Sequence, residues 1–136
     1  MKRIAMVLLF DRHHRLLIYF RDDKRDIPFP NHWDLFGGHV EEGEKAEEAL
    51  VREVKEELNV ELTEWRFFCT YLCTEGDAYP NVKHIFWAKI DKTPGELKLC
   101  EGQRLQSIGI EERKNFKFAN ILGKIVDDFV GAGLWP

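Results

Sequence analysis

One stretch constrains this chain more than any other. Glu44 to Leu58 is the one strongly helical run, entered through Gly37-Gly38 and Gly43 and left at Asn59. An α-helix advances about 100° per residue, so positions three and four apart are neighbours. On that wheel Leu50, Val51, Val54 and Leu58 share an arc that predicts a core face. Lys45, Glu48, Arg52 and Lys55 share an arc that predicts a wet face. Glu53, Glu56 and Glu57 fill the third arc, with Ala46 and Ala49 leaving room above them. Three adjacent carboxylates repel, at about a few tenths of a kcal/mol per i, i+4 pair even when exposed. Two arrangements answer that. A solvated acidic face on a surface helix dilutes the charge in water. A hard divalent cation cancels it, because Mg²⁺ takes oxygen ligands in an octahedral shell.

The glycines favour the cation. Glycine permits positive φ and a close approach of backbone to a ligand. Bare amides and carbonyls beside an acidic helix bind phosphate oxygens and metal. Asn59 suits the helix exit, since Asn is the commonest residue after glycine in the left-handed conformation that closes helices.

The rest of the chain reads mostly as strands. Ile4 to Phe10 is continuously apolar and predicts a buried strand. After a polar turn, Leu16 to Phe20 predicts a second strand, the two forming a hairpin. Arg21 to His32, charged and carrying Pro28 and Pro30, predicts a loop. Trp33 to Gly38 is a short strand-like piece, and Glu61 to Thr74, Val82 to Ile90 and Gln106 to Ile110 predict further strands. Phe118, Ile121, Leu122, Ile125 and Phe129 lie at helical spacing and predict a terminal helix over Phe118 to Val130. That order predicts a mixed sheet covered by helices, an α+β fold. With 136 residues and no repeat or linker, residues 1–136 are expected to form a single domain.

Gly38, Glu44, Arg52, Glu53, Val54, Glu56, Glu57, Asn59 and Val60 together resemble the Nudix box, G-x5-E-x7-R-E-U-x-E-E-x-G-U, where U is a bulky aliphatic. Asn59 in place of glycine is the one departure, at a position whose backbone accepts it. The resemblance implies a Nudix-type α/β/α sandwich with a mixed central sheet, a loop-helix-loop motif and a C-terminal helix. It implies a Mg²⁺-dependent hydrolase, with Mn²⁺ as a substitute, acting on a nucleoside diphosphate linked to another group. Carried over residue by residue, Glu53, Glu56 and Glu57 become metal ligands and the Gly37 carbonyl a further one. Glu53 becomes the general base, and Arg52 with Glu44 the ion pair that orients the helix. Gly38 joins the substrate-binding set.

Outside the box the likeness is to MutT-type members. Glu101-Gly102-Gln103 resembles their Glu-Gly-Gln element, whose Glu reaches into the metal site; a plain turn residue is the other reading of Glu101. Asn120 corresponds to their base-reading Asn, or is an ordinary cap of the last helix. Arg21 ends the second strand where such enzymes place a phosphate-binding Arg, or is a solvated surface Arg. Phe29, Trp33, Phe86 and Trp87 either stack a base or fill the core. The loops Arg21 to His32 and Glu75 to Asn81 are candidate substrate loops. The segment Trp33-Asp34-Leu35-Phe36-Gly37-Gly38 departs from the Pro-Gly-Gly of many relatives at Phe36.

A MutT-like nucleoside triphosphate, oxidised or not, leads as substrate, giving a monophosphate and pyrophosphate. ADP-ribose members usually carry a Pro where this chain has Glu75-Gly76, and Tyr79 falls late for the Tyr of dinucleoside polyphosphate members. ADP-ribose, nucleotide-sugar and dinucleoside polyphosphate hydrolysis stay as alternatives, as does a non-catalytic module that senses a ligand.

The net charge of -4 argues against tight binding of a nucleic-acid polymer, which relies on a basic surface. The expected partner is a small-molecule nucleotide, with the cation supplying positive charge locally. Cys69, Cys73 and Cys100 form no metal-spaced pair and suggest a reducing compartment. The short apolar run after Met1-Lys2-Arg3 reads as a strand rather than a signal peptide, and no segment is long enough to span a membrane. A cytoplasmic protein is expected, as monomer or homodimer.

Overall fold

The computed structural model describes residues 1–136. Its sheet is organised by β1 (Lys2–Phe10), which is buried from Ala5 to Phe10. Successive strand side chains point to opposite faces. Ala5, Val7 and Leu9 therefore join one core, and Met6, Leu8 and Phe10 join another. That is why the run is continuously apolar rather than alternating.

Along one edge β1 pairs in parallel with β6 (Asn81–Lys89), and β5 (Arg66–Cys73) lies antiparallel beyond it. On its other edge β1 is shared. Ile4 to Val7 pair with β4 (Phe36–His39), while β2 (Leu16–Phe20) meets β1 only at Phe10 and Leu16. The expected hairpin thus closes at its turn and then splays, because β4 takes the edge that β2 would have used. Beyond the splay β2 pairs with β3 (Trp33–Asp34) and β7 (Arg104–Ile108). The sheet is seven-stranded and mixed.

Helix α1 (Ala46–Leu58) covers the first core through Ala49, Leu50, Val54 and Leu58. Helix α2 (Leu122–Gly131) covers the second through Leu122, Ile125, Val126 and Phe129. The result is an α/β/α arrangement. Two features of α1 depart from the wheel. Ala46 and Ala49 are buried against the sheet rather than open above the acidic arc, and Val51 is only half-buried. Strand β5 begins at Arg66, not Glu61. Helix α2 begins at Leu122, not Phe118, because Phe118 bridges to Trp33 and the Ala119 N–H donates to the Trp33 carbonyl at 2.8 Å. No helix is long and apolar enough to cross a membrane.

Phe129 anchors α2. It is fully buried, with its ring 5.7 Å from Phe10, 5.1 Å from Phe68 and 5.6 Å from Trp87. Phe129→Ala is expected to cost about 3–5 kcal/mol, because the side chain leaves a cavity that the sheet cannot close. Denaturant unfolding measures the loss.

Candidate active site

Two glycines build the site by what they leave out. Gly37 has φ 144°, and a Cβ there would lie 2.1 Å from the Ala5 carbonyl oxygen and 2.6 Å from the Met6 Cα. Only glycine lets β4 lie this close to β1. At Gly38 a Cβ would lie 2.4 to 2.7 Å from the carboxyl atoms of Glu53. The space that a side chain would fill is where the Glu53 carboxylate sits. The N–H of Gly37 donates to Glu57 Oε1 at 2.8 Å. The glycine pair thus meets both inward carboxylates of α1. Phe36, the residue before it, is core: it is fully buried, its ring 5.1 Å from Tyr19.

Arg52 is only partly open to water. Its guanidinium donates twice to Glu44, at 2.9 and 3.0 Å, once to Glu53 at 2.9 Å and once to the His39 carbonyl at 2.9 Å. Glu56 accepts from it at 3.4 Å and is otherwise exposed. The fork is bidentate, so it fixes orientation as well as charge. Arg52 holds the Glu44 carboxyl down at about 2. Glu44 itself precedes α1, whose first residue is Ala46, so the pair pins the entry loop to the helix. At the other end Asn59 takes φ 56°, ψ 36° and its N–H donates to Lys55, the left-handed closure expected of it.

Glu57 is 3% exposed. Burial, opposed by the Gly37 N–H and reinforced by the charges of Glu53, Asp34 and Glu101, pushes its carboxyl up to about 9. Burial likewise raises Glu53, against the pull of Arg52. No three acidic or histidine side chains converge as a finished cage. The donor set nonetheless fits a hard divalent cation. It offers oxygen donors only, it includes a buried carboxylate with no cationic side chain bonded to it, and it opens on the Gly38 space. Glu53, Glu56, Glu57 and the Gly37 carbonyl are the groups at hand to hold one.

Glu101 sits on a tight turn joined to this site. The Cys100 N–H donates to the Glu57 carbonyl at 2.8 Å, and the Gln103 N–H to the Phe20 carbonyl at 2.8 Å. Gly102, at φ 87°, packs so near β2 that a Cβ would lie 2.7 Å from the Tyr19 ring. Glu101 lies exposed in this bend, and its charge acts on Glu53 and Glu57.

Arg21 is no free surface side chain. It donates to Asp34 Oδ2 at 2.7 Å and to the Pro28 carbonyl at 3.0 Å. Asp34 is buried and also accepts from the Tyr19 hydroxyl at 3.1 Å and the Leu35 N–H at 2.8 Å. Arg21 lines two recesses at once. One is a cleft of about 240 Å³ shared with Gly37, Gly38, Phe29 and Asn120. The other, about 150 Å³, lies beside Glu101. A larger recess of about 630 Å³ at Thr63 to Arg66 and Trp87 carries none of these groups.

Asn120 is not the cap of α2, whose cap position is Ile121. It takes φ 41°, its own Oδ1 accepts the Ile121 N–H at 2.6 Å, and it lines the cleft. Of the aromatic candidates, Trp33 and Phe86 are buried core and Trp87 packs on Phe129, while Phe29 borders the cleft. Asp77 and Tyr79 bring the candidate loop Glu75 to Asn81 to its wall, while His39 and Lys83 also line it and were not singled out from sequence. One signal was available for Lys83: it is a cation set inside β6, just ahead of the apolar run Ile85 to Ala88.

A family model described as NUDIX domain matches residues 1–129. The nucleoside triphosphatase NudI of Escherichia coli O139:H28 is 50% identical over 50 residues, which cover 33% of this chain and 35% of that protein. The matched stretch thus spans about a third of the length of such curated relatives. A solved structure titled as MutT from Aliivibrio salmonicida and Vibrio cholerae is similar over 96% of this chain and 98% of its own, with TM-score 0.76 and 23% identity. The NUDIX domain of Shewanella oneidensis NrtR, solved in complex with ADP ribose, is similar over 96% and 86%, with TM-score 0.78 and 17% identity. At such identities the two structures speak for the fold alone.

Proposed function

The chain belongs to the Nudix family, and on that premise we propose that residues 1–136 act as one Mg²⁺-dependent hydrolase domain that cleaves phosphoric anhydride bonds in a nucleoside diphosphate linked to another group. A nucleoside triphosphate giving monophosphate and pyrophosphate is the leading substrate. The observation that carries this is the junction at Gly37-Gly38. One side of it meets the carboxylates of Glu53 and Glu57, and the other side lines the cleft. A nucleotide in that cleft has its phosphates beside the acidic helix.

The divisions of labour follow from position. Glu53, Glu56, Glu57 and the Gly37 carbonyl would hold the cation, with Glu101 within electrostatic reach. When bound, the cation neutralises phosphate charge and polarises the phosphorus under attack. Glu53, half-buried and raised by that burial, is the base that takes the proton of the attacking water. Arg52 and Glu44 hold the helix face in place. Arg21, fixed by Asp34 and facing both recesses, grips the phosphates with its remaining N–H groups. Asn120 meets the base.

A substrate panel with Mg²⁺ or Mn²⁺ tests the reading: nucleoside triphosphates, ordinary and oxidised, ADP-ribose, NADH, nucleotide sugars and dinucleoside polyphosphates. Pyrophosphate release from triphosphates is expected to be fastest. Binding across the panel without turnover would make the chain a sensing module instead. Arg21→Ala is expected to raise KM for a triphosphate by about tenfold, the loss of a charge-assisted pair. An unchanged KM would remove Arg21 from the substrate contacts.

A further inference from the structure

One wall of the cleft holds the one buried lysine of the chain. Lys83 stands on β6 in register with Ile4, on the α2 side of the sheet, and is 1% exposed. A buried ammonium is tolerated only when paired and hydrogen-bonded. Its Nζ donates to Asp77 Oδ2 at 2.6 Å and to Asn81 Oδ1 at 2.8 Å. Asp77 also accepts from Asn81 Nδ2 at 2.9 Å and from the Ala78 N–H at 2.7 Å. Burial alone would raise the Asp77 carboxyl; these hydrogen bonds, Lys83 first, hold it below its ordinary value. Asp77 is therefore held as the carboxylate, and its hydrogen bonds orient the Lys83 side chain.

An ammonium has three N–H donors and no acceptor. Two are taken, which leaves one for the cleft that Lys83 lines. Asn120 adds to the same polarity, because its Oδ1 is spent on Ile121 and its NH₂ remains. The Tyr79 hydroxyl and His39 Nε2 are bonded to each other at 2.8 Å, so they compete little for a ligand. Asp77 neutralises the ammonium, so this wall offers a donor without net charge. That suits a neutral carbonyl better than a phosphate.

We propose that Lys83 is a specificity-determining residue, selecting nucleotides whose base turns a carbonyl oxygen toward this wall over isosteres with an amino group there. The inference rests on the reading of the cleft as the base site. An amino group facing Lys83 leaves two desolvated donors opposed, and a site built to hydrogen-bond one group rejects the analogue that lacks it.

The test uses two pairs that differ at one exocyclic position, UTP against CTP and ITP against ATP. Both kcat/KM and calorimetric binding are measured. The keto member of each pair is expected to win by about tenfold or more, with the difference in KM and Kd rather than kcat. The double variant Lys83→Met/Asp77→Asn, which removes the pair without stranding a buried charge, is expected to bring both ratios within about twofold. The wild-type comparison needs no variant to fold. Equal treatment of both pairs by the wild type overturns the proposal, as does an undiminished preference in the folded double variant. Hydrolysis without preference sinks Lys83 and leaves the hydrolase. A preference in binding without hydrolysis does the reverse, and no binding of any of the four sinks both the role of Lys83 and the triphosphate as substrate.

Discussion

Glu57→Gln is expected to lower Mg²⁺-dependent turnover by at least about 10²-fold, the loss typical of removing a metal ligand or general base. The same change is expected to make the metal-free protein more stable at pH 8. Both follow from one fact: Glu57 is buried with only the Gly37 N–H as partner. In the unfolded chain its carboxyl releases its proton near 4.5, while in the folded chain burial holds the proton to about 9. Between those values the folded state binds more protons than the unfolded one. Stability from this group is therefore complete below about pH 4.5 and is lost as pH rises through about 9. Gln carries no such loss, so its advantage grows across that window. Adding Mg²⁺ supplies the missing positive charge and should stabilise the wild type more than the variant. Thermal melts in chelator at pH 5, 7 and 9, repeated with Mg²⁺ and set beside steady-state rates, measure all of this. A variant that turns over like the wild type would leave the helix a mere acidic surface. One less stable than the wild type at pH 8 without metal would mean that the carboxylate has a cationic partner in solution.

The two glycines are expected to fail in different ways when each becomes Ala. At Gly37 the added Cβ meets backbone, the Ala5 carbonyl oxygen at 2.1 Å, at a φ of 144° that side chains rarely adopt. Backbone cannot step aside without moving β1 from β4. The cost is expected to be on the order of 3 kcal/mol or more, seen as lost soluble or folded protein. At Gly38 the Cβ meets the end of the Glu53 side chain, at 2.4 to 2.7 Å, which can swing away. Stability should then change by less than about 1 kcal/mol, while turnover falls by about 10²-fold because the carboxylate is displaced. Equal stability losses in the two variants would contradict this division.

Much of this was legible from residue order. The strand of Ile4 to Phe10, the acidic arc of α1, the glycine entry and the Asn59 exit are local matters of periodicity and backbone preference. So was the family, since Arg52, Glu53, Glu56 and Glu57 carry their spacing within one helix. The misreadings share a cause. The wheel put Ala46 and Ala49 beside the carboxylates, yet the sheet lies close enough to bury both. It put Arg52 in water, yet the end of β4 at His39 and the loop carrying Glu44 bind its guanidinium and leave it only partly exposed. Of the two readings of Asn120, the cap arose because the apolar spacing starts at Phe118, but Phe118 and Ala119 are bound to Trp33, which delays the helix.

Sequence alone determined that this chain makes a two-faced sheet with a carboxylate-bearing helix behind a glycine loop, because spacing along one element needs no knowledge of any other. Only the tertiary structure decided what surrounds that helix. The splay of β2 from β1, the approach of Gly102 to Tyr19 and the burial of Lys83 against Asp77 join residues far apart in the chain. Such contacts depend on which strands share an edge, and no local pattern carries that information. The acidic arc was written in one helix; the cleft proposed to hold its substrate is assembled from β1, β2, the loop before β3, β3, β4, the loop before β6, β6 and the turn before α2.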